Sequence, residues 1–114
     1  MKNSEKSFQW IIGILRKHDV PFVVTGGLAA NIYGSPRDLY DIDIEIPEKY
    51  FETILSDIKP YIVFGPGRLI DEYWDLELVI LNHEGQMIDI SGGETVKICN
   101  TKTKEWQLVP TDFK

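Results

Sequence analysis

Residues 40–46 read Tyr-Asp-Ile-Asp-Ile-Glu-Ile, an alternation that only an extended strand turns into two chemically opposite faces. Ile42, Ile44 and Ile46 then line one face, and Asp41, Asp43 and Glu45 line the other. Such a strand has to sit in a sheet whose apolar face is covered and whose acidic face is not. The cover is visible on both sides. Phe8, Ile11, Ile12 and Leu15 recur at helical spacing and predict a helix over about residues 4–18, with Ser4 as its cap and Arg16, Lys17 and His18 at its negative end. Phe51, Ile54, Leu55 and Ile58 predict a second helix over about residues 47–58, opened by Pro47 and ended by Lys59-Pro60.

The remaining segments supply more strands. Phe22-Val23-Val24-Thr25 is a short β-branched run that reads as a buried strand stopping at Gly26-Gly27, and Leu28 to Tyr33 reads as a short helix stopped by Gly34. Tyr61 to Phe64 reads as a strand ahead of a Gly65-Pro66-Gly67 turn. Tyr73 to Leu81 and Gln86 to Ser91 read as the arms of a hairpin joined by residues 82–85. After Gly92-Gly93, Thr95 to Cys99 and Trp106 to Val109 form a candidate small hairpin, and Val109 to Phe113 resembles the opening of a helix. The fold class expected is α/β (α+β), a mixed sheet flanked by helices.

At 114 residues the chain is expected to be one domain over 1–114, with a core at about 8–91 and a C-terminal extension at 92–114. Its net charge of -6 argues against an extended nucleic-acid surface, because such binding depends on cations that displace counterions. A nucleotide is not excluded, since a metal ion can neutralise it locally. The single cysteine, Cys99, forbids an intramolecular disulfide and fits a reducing compartment, so the cytoplasm is the expected location. No apolar run approaches a membrane span, and no signal-peptide pattern opens the chain.

The chemistry concentrates in residues 26–43. Asp41 and Asp43 stand two apart on one strand face, with Cα atoms about 6–7 Å apart, a spacing from which two carboxylates can share hard cations. Alone this Asp-x-Asp is weak, being more often a solvated strand face. Gly26-Gly27, between a strand and a helix, adds exposed amides where an anion can bind.

Taken together, Thr25-Gly26-Gly27, then Arg37-x-x-x-Asp41-x-Asp43 and a later carboxylate on a hairpin strand, resemble the nucleotidyltransferase superfamily related to DNA polymerase beta. The resemblance spans about residues 8–91 and is most specific over 22–43. It implies a nucleotidyltransferase-like fold in which Gly26 and Gly27 hold the triphosphate, and Asp41, Asp43 and a third carboxylate hold two magnesium ions, with manganese as the substitute. Asp89 is the choice for that third carboxylate, and Asp75 and Glu77 are its competitors. Arg37 is assigned either to phosphate oxygens or to an ion pair separating the aspartates.

The implied function is magnesium-dependent transfer of a nucleoside monophosphate from an NTP to an unidentified hydroxyl acceptor. The chain departs from the family pattern in three places: Leu39 replaces a common threonine, glycine-glycine replaces glycine-serine in a form common among distant members, and its 114 residues include no helical acceptor domain, as expected of a minimal member or a fragment. The alternative is therefore a catalytically degenerate module of the same fold, working as an antitoxin-like or regulatory protein partner. A homodimer or a protein partner is expected in either case, since an acceptor site needs further surface. His18 and His83 read as exposed and unspecialised, Glu45 as a solvated or outer neighbour of the aspartates, and Trp10, Trp74 and Trp106 as core cover. Trp74 also borders the candidate site, where it could stack on a base.

Overall fold

A computed structural model describes residues 2–25 and 41–113. Helix α1 spans Lys2–Lys17 and helix α2 spans Phe51–Ile58, the latter preceded by a 3₁₀ turn over Glu48–Tyr50. The strands are β1 (Val23–Thr25), β2 (Asp41–Ile46), β3 (Ile62–Ile70), β4 (Trp74–His83), β5 (Gln86–Gly92), β6 (Lys97–Cys99) and β7 (Trp106–Leu108). They form one sheet in the order β1-β2-β5-β4-β6-β7, with β3 paired to β4 off this path. Only β2 and β5 run parallel among the described pairs, so the sheet is mixed, as expected.

The alternation in β2 is realised directly. Ile42, Ile44 and Ile46 are buried, and with Ile88 and Ile90 of β5 and Val79 and Leu81 of β4 they meet Ile11 and Leu15 of α1 and Ile54 and Ile58 of α2. The parity of these positions puts both described helices on one face of the sheet. Each fully buried side chain of this size stabilises the fold by about 1.5–3 kcal/mol.

β4 and β5 form the expected hairpin, with the second arm starting at Gln86 as expected and the first extending past Leu81 to His83, which leaves a two-residue turn. Glu84 and Gly85 both have positive φ there, 50° and 90°, the backbone that suits the twist of a tight hairpin. Asn82 Oδ1 accepts from the Gly85 N–H at 2.8 Å.

Several expectations are corrected. β1 is half-buried, not a buried strand, and among the described residues it stands at the sheet edge and pairs with β2 alone. Gly65-Pro66-Gly67 is not a turn: β3 runs through it, and register shifts against β4 between Ile62 and Phe64 and between Phe64 and Gly67 absorb the irregularity. Gly65 sits at φ +81°, where a Cβ would meet the Leu78 carbonyl oxygen at 2.3 Å. Residues 109–113 form no helix; the Thr111 N–H donates to Gly93 O at 2.7 Å, and the Val109 N–H to Val96 O at 2.8 Å. The 95–99 and 106–109 pair does form, as β6 and β7. The helix expected over residues 28–33 lies outside the described residues.

His83 is not exposed. It is buried at the end of β4, its ring stacked on Trp10 at 4.2 Å, with the Ser7 hydroxyl 2.7 Å from Nδ1. His18 is half-buried and pairs with Asp57 of α2 at 2.7 Å, which holds the Asp57 carboxyl below its usual range. Of the three tryptophans, only Trp10 packs against the core; Trp74 and Trp106 are exposed.

Candidate active site

The sheet face opposite α1 and α2 carries the polar half of β2 and β5. On β5, Met87, Asp89 and Ser91 face away from the core that Ile88 and Ile90 enter. The parallel register sets Asp43 of β2 opposite Asp89 of β5, and the antiparallel register sets Thr25 of β1 opposite Asp43. A row Thr25, Asp43, Asp89, Ile80 therefore crosses four strands. The next row along is Glu45, Ser91 and Leu78.

All of these residues but Ile80 line a cavity of about 490 Å³. Thr25, Asp43, Glu45, Asp89 and Ser91 form one side, and Leu69, Trp74, Leu76, Leu78 and Val96 form the other, with Asp71 also in its lining. Asp43 and Asp89 are both half-buried, while Asp41 is exposed and stands opposite Met87, two residues before Asp43 on the same face. Glu45 Oε1 accepts a hydrogen bond from the Thr111 hydroxyl, which ties the C-terminal segment to the acidic strand.

Asp89 is the electrostatically unusual member. Its carboxyl is pushed up from an ordinary 3.8 to about 6, first by burial, then by the charges of Asp43 and Asp41. Two like charges facing a half-buried carboxylate make ionisation costly, and a divalent cation bound by oxygen ligands would relieve that cost. The donor set thus has the chemistry of a hard-cation site. Among the described residues, however, no three His, Cys, Asp or Glu side chains are gathered closely enough to hold a metal ion. The aspartates share a face without closing on a common centre.

Asp75 and Glu77 belong elsewhere. They occupy the odd positions of β4, whose parity is that of Val79 and Leu81, so they project to the face away from Asp89. There Arg68 binds Asp75 at 2.6 Å and approaches Glu77 at 3.8 Å. Gly26, Gly27 and Arg37 lie outside the described residues. Asp71, Ser91 and Val96 are cavity residues that the sequence had not singled out; for Ser91 the signal was available, since it stands two positions after Asp89.

Comparison with solved structures finds the same fold in a "putative nucleotidyltransferase" from Thermotoga maritima, with a TM-score of 0.78 and 21% identity over 98% of this chain and 67% of that one. At that identity the likeness establishes the fold, which is nucleotidyltransferase-like. No family model and no curated protein sequence matches the chain. No described helix is long and apolar enough to cross a membrane.

Proposed function

We propose that this protein transfers a nucleoside monophosphate from an NTP to a hydroxyl acceptor, with magnesium held by Asp43 and Asp89 together with Asp41. The observation that carries this reading is the opposition of Asp43 and Asp89 on the open face of a nucleotidyltransferase-like sheet. In the reaction the acceptor oxygen bonds to the α-phosphorus, the bond from that phosphorus to pyrophosphate breaks, and the hydroxyl proton leaves to a base. A bound metal ion supplies charge neutralisation for the phosphates and for the oxygen that develops charge.

The residues themselves do three things in this scheme. Asp41 and Asp43 present carboxylate oxygens along one strand edge, where a metal-bound triphosphate would dock. Asp89, directly opposite Asp43, would hold the ion that faces the acceptor and help activate the acceptor hydroxyl. Gly26 and Gly27 are assigned to the triphosphate and Arg37 to its oxygens by resemblance. Calorimetry with magnesium and an NTP is the direct test: binding lost in Asp43→Asn supports the assignment, and binding unchanged in both Asp43→Asn and Asp89→Asn ends it.

A second reading has its own observation. Trp106 and Leu108 of β7 and Ile70 of β3 are exposed apolar side chains on short or terminal strands, a surface suited to protein contacts. On this reading the fold serves as an interaction module without transfer. Absence of magnesium-dependent NTP binding, with stable capture of a protein partner from the native host, would favour it.

A further inference from the structure

Three of the cavity's four carboxylates, Asp43, Glu45 and Asp89, come from β2 and β5, and Asp71 alone stands on the side of Trp74. The opposite wall is built from Leu69, Trp74, Leu76, Leu78 and Val96, side chains with no role in binding a metal or phosphate. The wall begins at Leu78, level with Ser91 and Glu45, and Trp74 lies four residues further along β4. The indole is 43% exposed even though its strand is paired on β6 through Ile98. Its mounting is fixed: Asp71 Oδ1 accepts from the N–H groups of both Tyr73 and Trp74 at 2.8 Å, which pins the turn that carries the ring.

We propose that this wall binds a planar ring bearing no negative charge. Two features give the preference. An exposed indole carried on a turn pinned by Asp71, beside aliphatic side chains, offers a flat apolar platform on which a ring can stack. Besides Asp43, the described cavity lining contains the carboxylates Glu45, Asp71 and Asp89, and among the described residues no Lys, Arg or His, so it disfavours an anionic ring and favours a neutral or cationic one. That chemistry belongs either to the base of the incoming nucleotide or to a ring on the acceptor. The inference deepens the transfer reading and rests on it for the use to which the bound ring is put.

The experiment needs neither metal nor nucleotide triphosphate. Metal-free protein is titrated with adenosine, with tyramine and with 4-hydroxyphenylacetate, and binding is followed by calorimetry and ligand-observed NMR. Adenosine or tyramine should bind, and Trp74→Ala should weaken that binding roughly tenfold, the size expected for one lost ring stack. Trp74→Phe should restore most of it. Trp106→Ala, which removes an indole of similar exposure (44%) outside the cavity lining, should change nothing. Binding of adenosine alone assigns the wall to the base; binding of tyramine alone assigns it to the acceptor.

The proposal is overturned if neither compound binds, if Trp74→Ala binds as well as the parent, or if 4-hydroxyphenylacetate matches the better of the two. Magnesium-dependent NTP binding is measured separately. Its loss with ring binding intact removes the transfer reading and leaves the ring site standing.

Discussion

Asp43 and Asp89 lie directly opposite one another across the parallel β2–β5 pair, on the sheet face that no described helix covers. They come from segments 46 residues apart, and the only relationship between them in the chain is that each is flanked by isoleucines. Burying those isoleucines on the helical face forces both carboxylates outward, and the register places them side by side.

Removing either carboxylate should separate site chemistry from folding. Asp43→Asn is expected to lower nucleotidyl transfer by about 10²-fold or more, the scale seen when one preorganised charge-stabilising group is lost. Asp75→Asn, on the other face and paired with Arg68, should leave transfer unchanged. Pyrophosphate release with each NTP, measured across a panel of hydroxyl acceptors, provides the readout.

The raised Asp89 carboxyl makes a signed prediction about stability. Between pH 3.8 and about 6 the folded state binds this proton while the unfolded chain has released it, so this group lowers stability as pH rises through that window. Above it, the folded protein carries an ionised carboxylate facing Asp43 and Asp41. Asp89→Asn should therefore raise Tm in metal-free buffer at pH 8, with the gain shrinking toward pH 4. Magnesium should raise the Tm of the parent protein and not that of the variant. Thermal melts at four pH values would decide it.

Ser7 and His83 join α1 to the end of β4, and both are buried. Besides its contact with Nδ1, the Ser7 hydroxyl donates to His83 O at 3.1 Å. Ser7→Ala strands a buried imidazole nitrogen and should cost about 1–3 kcal/mol, read as a lower urea midpoint with an unchanged slope. A shallower slope would point instead to a change in how much surface unfolding exposes.

Gly65 holds a backbone conformation at φ +81° while β3 bulges past Leu78. Gly65→Ala adds both an unfavourable φ and a Cβ placed 2.3 Å from a carbonyl oxygen, and is expected to cost roughly 1–3 kcal/mol. Gly85→Ala, where φ is 90° but nothing stands within 4 Å of a Cβ, should cost less. Paired denaturant curves test the ranking.

Within the sequence, period was the dependable signal. The two-residue alternation of 41–46 and 86–91 marked β2 and β5 and the face each carboxylate takes, and three- and four-residue spacing marked α1 and α2, because side-chain direction follows backbone period. The shared face of Asp41 and Asp43 was legible for the same reason, whereas Asp89 was chosen as their companion through the resemblance to nucleotidyltransferases. Gly65-Pro66-Gly67 misled, since turn residues and bulge residues are the same residues and only the partner strand distinguishes them. His83 misled because a hairpin loop is usually solvated, and nothing near it in sequence announces Trp10 or Ser7.

By itself, then, the chain determined which residues share a face: the isoleucines inward, the aspartates outward, a helix on either side of β2. Those are local consequences of backbone geometry and of burying apolar area. Tertiary structure decided which faces meet. Parallel register brought Asp89 to Asp43, strand parity sent Asp75 and Glu77 to Arg68 on the opposite side, and the pairing of β3 and β6 with β4 gathered Leu69, Trp74, Leu76 and Val96 into the cavity wall. Strand pairing joins residues distant in sequence through backbone hydrogen bonds that carry no side-chain signature, so register had to come from the assembled sheet.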